Sequence, residues 1–185
     1  MAPGYLAYLE TSDSPNASHA TLARLAGALH VQLAALTGAG MEQPPGQGRG
    51  VRHAVLQEMT EDECRARLAS GGIGRFLYVS DRGPVAVPVN FAMLGDDVVF
   101  RTKAGDEVAD AAAQHKVSFD VDHIDDALSE GWSVLASGQA RVLTDPAEIR
   151  QAEALDIEPW PGGDLNAYVR LAPVEITGRR IRVPD

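Results

Sequence analysis

From residue 54 onward, apolar residues come in short runs, several of them alternating, and glycine, proline or acidic residues separate the runs. Thr60-Glu61-Asp62-Glu63 is a capping box and predicts a helix to about Ala69, ended by Gly71-Gly72. Ile73–Ser80 predicts a strand, Asp81-Arg82-Gly83 a turn, and Val85–Leu94 a second strand. Pro88 suits an edge or a bulge there, because it has no N–H for a central ladder. Gly95-Asp96-Asp97 predicts a hairpin turn into Val98–Thr102. A short helix follows over Gly105–Gln114, then strands at Val117–Val121 and Trp132–Leu143. Asp145-Pro146 opens another helix, with proline at its first position, and Tyr168–Val183 supplies one or two closing strands. Six or so strands joined by short hairpins, with few helices, predict an antiparallel barrel and not alternating βαβ units.

The first 53 residues read differently. Leu22, Leu25, Ala26, Leu29, Leu33 and Leu36 recur at three- and four-residue steps, one face of one or two helices. Ser18 or Thr21 caps the start, and Gly38 stands where a C-terminal glycine is expected. Gly4–Glu10 suits a further short helix. Residues 39–53, with their glycines and two prolines, predict a linker. The expected organisation is a helical arm over 1–38, a Gly/Pro linker over 39–53 and a barrel domain over 54–185.

The chain has 185 residues, enough for one domain and an appendage. Its single cysteine, Cys64, excludes an intrachain disulfide. That cysteine, with no signal-peptide pattern at the N-terminus, leads to an expected cytoplasmic location. No apolar run approaches the length of a membrane-spanning helix. The net charge of −10 argues against non-specific nucleic-acid binding by the whole molecule. All of it lies after residue 53, because Glu10, Asp13 and Glu42 balance Arg24, Arg49 and Arg52 before that point.

Against that acidic background, Arg101-Thr102-Lys103 is a local cation cluster with Gly105 just beyond it. Cations, a hydroxyl and a nearby helix start are what a phosphate group needs, although a solvated strand end has the same composition. Asp120, Asp122, His123, Asp125 and Asp126 match no EF-hand or zinc spacing and read as a strand end passing into a solvated loop. Cys64 reads as a small buried apolar residue. Trp160, in Glu158-Pro159-Trp160-Pro161-Gly162-Gly163, either closes over a site or anchors its own loop. Arg179 or Arg180 either meets an anion or makes a structural ion pair. No side chain stands out as a general acid or base.

Five blocks carry a family resemblance. They are Gly74-Arg75-Phe76-Leu77, Pro88-Val89-Asn90-Phe91, Phe100-Arg101-Thr102 with Gly105, Phe119-Asp120-Val121-Asp122, and Gly131-Trp132-Ser133-Val134 with Gly138. In this order, over about residues 54–182, the chain resembles the flavin-binding split β-barrels of the pyridoxamine 5′-phosphate oxidase-like superfamily. The resemblance implies a six-stranded antiparallel split barrel, mainly β with flanking helices. It also implies a homodimer with two sites at the interface and an FMN cofactor serving oxidation or reduction of a small molecule. It assigns Phe100, Arg101, Thr102, Lys103 and Gly105 to the phosphate end, and Val87, Pro88, Val89 and Asn90 to the ring. Trp132 and Ser133 would reach the cofactor from the second subunit.

One position departs from the pattern. Many relatives open the helix after the third strand with Gly-x-Lys-Leu, the lysine meeting the phosphate, whereas this chain reads Gly105-Asp106-Glu107-Val108. Two carboxylates beside a phosphate repel it, so a deazaflavin or no cofactor stands as the alternative to FMN. Separately, Leu22-Ala-Arg-Leu25-Ala26-Gly-Ala28-Leu29 resembles the later helices of a Cro-repressor-type helix-turn-helix domain lacking its first helices. A regulator or redox sensor built on a flavin-type barrel is the corresponding alternative function.

Overall fold

The computed structural model describes residues 18–29, 31, 36, 53–113, 116–125, 130–160 and 162–182. They fall into two compact units, Met1–Val51 with Ile124–Glu130, and Arg52–His123 with Gly131–Asp185. In the first unit, helix α1 spans His19–Leu29. Ser18 opens it, its side chain and its carbonyl both accepting from the Thr21 N–H. The expected helix over residues 4–10 and most of the 39–53 linker lie outside the described residues.

The second unit holds β1 (Val55–Glu58), α2 (Glu61–Leu68), β2 (Gly72–Ser80), β3 (Gly83–Leu94), β4 (Asp97–Thr102), α3 (Glu107–Ala112), α4 (Pro146–Glu153), β7 (Ala167–Arg182) and all but the end residues of β5 (Val117–Asp125) and β6 (Glu130–Val142). All the strand pairings whose registers are described are antiparallel. The order β7-β4-β3-β2-β5-β6, with β6 returning to β7, closes a six-stranded ring as expected. The seventh strand, β1, was not expected. It has no buried side chain, so its sequence shows no alternation. It forms because β7 outruns its neighbour. Ala167–Leu171 pairs with β4, whereas Arg179–Arg182 extends past β4 and pairs with β1 on that side.

Side chains from alternate positions fill the ring. Phe76, Phe100 and Phe119 have no exposed surface. Their rings lie 5.1 Å (Phe76 to Phe100) and 6.1 Å (Phe100 to Phe119) apart, and Phe91 meets Phe119 edge-on at 4.9 Å. Cys64 and Leu68 of α2 are fully buried in the same core. Burial pushes the Cys64 thiol up, so it stays protonated, as a small core residue does. β4 is covered on both faces, since Val99 packs outward with Leu143, Ala152 and Ile157 under α4.

Thr60 and Glu63 make the predicted capping box. The Thr60 backbone N–H donates to the Glu63 carboxylate at 2.8 Å, and the Arg180 guanidinium donates to it at 2.8 Å. Both contacts hold the carboxyl below its ordinary value, the Thr60 N–H foremost. A carboxylate whose folded-state value is lowered stabilises the fold above its unfolded value, and that contribution is lost as pH falls through the folded one. Glu63→Gln should therefore lower stability at neutral pH, with the deficit from wild type vanishing in acid, measured by urea unfolding across a pH series. A deficit that does not change with pH would refute the linkage.

Candidate functional site

The strand β3 carries the centre of the candidate site. From Gly83 to Phe91 it pairs with β2, but β4 joins it only over Phe91–Leu94. Among the described residues, β3 therefore has no strand partner on its other side from Gly83 to Asn90. Pro88 sits within this one-sided stretch, opposite Arg75, as a residue without an N–H should. Val85, Val87 and Val89 turn toward the barrel core, and Pro84, Ala86 and Pro88 face solvent. An open backbone edge beside a small, flat, apolar surface can take a planar ligand that needs a few backbone hydrogen bonds.

Residues 155–160 and 162–166 meet one end of this edge. The Asn90 side-chain oxygen accepts from the Trp160 N–H at 2.9 Å. Arg101 sends Nε and a terminal nitrogen to the Leu165 carbonyl, at 3.1 and 2.8 Å, and its other terminal nitrogen to the Ile157 carbonyl at 3.4 Å. The guanidinium also lies over the Tyr168 ring, 5.6 Å from its centroid. Asn166 accepts from the Ala104 N–H at 2.9 Å. A cleft of about 340 Å³ lies beneath, lined by residues that include Gly71, Asn90, Met93 and Ile157.

The expected phosphate residues are consecutive in sequence but differently employed. Arg101 spends three donors on the 155–166 segment. Thr102 is buried, and its hydroxyl donates to Asp106 at 2.7 Å. Asp106, not Gly105, starts α3, its other oxygen accepting from the Ala109 N–H at 2.8 Å. Gly105 lies ahead of the helix at φ +74°, a conformation that favours glycine. The helix is shorter than predicted because this aspartate caps it two residues late, and its last predicted residue, Gln114, lies outside the described residues. Lys103 is exposed and makes no ion pair among the described residues. Phe100 is wholly buried, so only its backbone can reach a ligand.

Sequence reasoning missed Arg82, which stands in the β2–β3 turn 3.8 Å from Glu107. Both are exposed, so the pair is screened and weak, yet it brings a cation to the carboxylate that departs from the family pattern. Glu107 also neighbours Tyr78. Burial first, and this carboxylate second, push the Tyr78 phenol up, so it remains a hydrogen-bond donor. The only sequence signal for Arg82 was its place in a tight turn, which says nothing of what it faces.

Trp132 is half-buried on β6, with Arg67 over its ring at 5.2 Å and His123 beside it at 6.2 Å. Ser133 is exposed next to it. These two are not among the residues lining the cleft at Asn90. Asp120 and Asp122 both pair with Arg75. Burial and the neighbouring Asp122 raise Asp120, against the lowering pull of Arg75. Arg180 bonds Glu63 and Gln57, the structural ion pair that was one of its two readings.

Known proteins agree with this architecture. The family model for pyridoxamine 5′-phosphate oxidase matches residues 60–180. The uncharacterized protein Rv3129 of Mycobacterium tuberculosis is 41% identical over 88 residues, 48% of this chain and 78% of that protein. The uncharacterized protein Rv0080 of the same organism is 30% identical over 144 residues, 74% of this chain and 94% of its own length. Among solved structures, an FAD-binding protein from Mycobacterium smegmatis superposes with a TM-score of 0.59 at 33% identity, covering 68% of this chain and all of that one. With a six-stranded antiparallel ring closed and the match spanning most of the barrel, the chain belongs to the pyridoxamine 5′-phosphate oxidase family.

Proposed function

We propose that this protein binds a flavin, FMN by preference, along the open edge of β3 and serves as an oxidoreductase of a small molecule. The observation that carries the reading is the one-sided pairing of β3 from Gly83 to Asn90, beside the solvent-facing Pro84, Ala86 and Pro88. The donor set fits a flavin unevenly. The ring end has a small apolar surface, and its backbone has no second strand partner among the described residues. The phosphate end relies on Lys103, because Arg101 and Thr102 are engaged, while Asp106 and Glu107 oppose an anion and Arg82 offsets part of that.

A bound flavin would supply hydride or electron transfer. The chain's own task is then to orient the ring and exclude water from it. Val87 and Val89 keep the strand rigid by packing inward, Pro88 meets the ring, and Asn90 marks the end of the slot. The reading includes a homodimer in which Trp132 and Ser133 complete each site from the partner subunit, the two-fold axis making the sites equivalent. Support for that comes from an outer face carrying Ile73 and Val79, 42% and 63% exposed.

FMN titration followed by fluorescence quenching tests the proposal. Wild type should bind with micromolar Kd, about −8 kcal/mol. Lys103→Met should weaken binding about tenfold, and Glu107→Lys should tighten it about tenfold, by adding a cation and removing a repulsive carboxylate. Wild type that fails to bind FMN would end the FMN assignment, and deazaflavin titration would then separate an alternative cofactor from a cofactor-free barrel.

A further inference from the structure

Trp160 is 80% exposed, and it is the largest apolar side chain among the described residues to be so. An isolated exposed side chain needs no explanation, but this one is held in place from several sides. Its own N–H is taken by Asn90, across 70 positions of sequence. Ile157, three residues before it, is anchored in the apolar cluster under α4. Leu165, five residues after it, is gripped by two nitrogens of Arg101. Asn166 is tied to Ala104. The segment is therefore fixed at both shoulders and at Trp160 itself, while the indole is left in water. Anchors of this kind restrict the backbone without burying the aromatic, which is how a contact surface is preorganised.

The Asn90 hydrogen bond decides where that surface stands. Asn90 ends the stretch of β3 that lacks a second strand, so residue 160 is brought to the end of the proposed ring slot and not to a remote loop tip. Resting on the flavin reading above, we propose that Trp160 is one aromatic wall of the slot and stacks on the isoalloxazine. Asn90 and Arg101 are then positioning residues for the loop that carries it. Asn90 acts on the ligand through Trp160, and the main office of Arg101 is to hold carbonyls, not phosphate.

The test uses the full-length protein and FMN as probe. Titrations of wild type, Trp160→Ala, Trp160→Phe, Asn90→Ala and the Asn90→Ala/Trp160→Ala double variant give affinity and the brightness of bound flavin at saturating protein. A stacked indole quenches flavin emission, and a merely structural residue has no reason to. Trp160→Ala should weaken binding about tenfold and brighten the bound flavin, and Trp160→Phe should keep affinity within about threefold. Asn90→Ala should do the same as Trp160→Ala, and the double variant should add nothing further, because both act through one contact. Unchanged affinity and brightness in Trp160→Ala, with wild type binding FMN, would overturn this inference and leave the flavin reading intact. Additive losses would show that Asn90 meets the ligand by itself and overturn its positioning role. Wild type that does not bind FMN would overturn both. Circular dichroism of each variant identifies any that is not folded, and Trp160→Phe then carries the test, because losing a stacked indole should brighten the bound flavin and unchanged brightness would overturn the inference.

Discussion

Gly138→Ala should abolish the folded barrel at ordinary temperature, or leave it destabilised by about 3 kcal/mol or more. A methyl at this position would lie 2.0 Å from the Ala172 carbonyl oxygen and 2.8 Å from the Pro173 Cα. These are backbone atoms, and no rotamer change relieves the clash. The local register explains the closeness. Ser137 pairs with Glu175 and Gly138 with Pro173, so Val174 is an extra residue on β7. That bulge turns the Val174 side chain outward, 83% exposed, and bends β7 over Gly138. Pairing between β6 and β7 is what closes the ring, so the error falls where the barrel has no alternative. Gly95→Ala is the control. It has open space around its Cβ and suffers only the cost of a left-handed backbone at φ +63°. Thermal unfolding of both variants measures the difference. A Gly138→Ala protein that melts with Gly95→Ala would contradict the bulge geometry.

Phe100→Ala should cost about 3–5 kcal/mol, the usual loss for emptying a buried aromatic site. Phe100 has no exposed surface and sits between Phe76 and Phe119, so its removal opens the middle of the ring. The prediction also separates stability from ligand contact at a residue assigned by family resemblance to the phosphate end. Phe100→Leu keeps most of the volume and should cost less than about 2 kcal/mol. If the side chain serves only the core, Phe100→Leu should bind FMN like wild type wherever both are folded. A folded Phe100→Leu protein with tenfold weaker FMN binding would mean that core packing is transmitted to the site. Urea unfolding with and without FMN gives both numbers from one set of samples.

Much of the fold was legible in the sequence because its signals are local. The capping box at Thr60–Glu63, the Asp145-Pro146 helix start and the alternation through β2 and β6 each depend on a few adjacent residues, and each element formed close to its expected bounds, whereas β5 runs on to Asp125 through the acidic residues read as a loop. The order of the five blocks was enough to name the family. The position of Pro88 was legible for the same reason, since a missing N–H excludes a central ladder wherever the strand lies.

The site was less legible because hydrogen bonds between distant residues settle it. Arg101, Thr102 and Lys103 are adjacent letters with equivalent-looking chemistry. In the fold, Arg101 holds carbonyls 56 and 64 positions away, Thr102 serves Asp106, and Lys103 is left exposed. Nothing near Asn90 announces Trp160, and nothing near Arg82 announces Glu107. β1 could not be read because strand formation there depends on the side of β7 that β4 leaves open and not on its own pattern. Periodicity, caps and glycines by themselves determined the elements from α2 to β7 and their order along the chain. Only the tertiary structure decided which polar groups remain free for a ligand, because that depends on which donors the packed loops have already used.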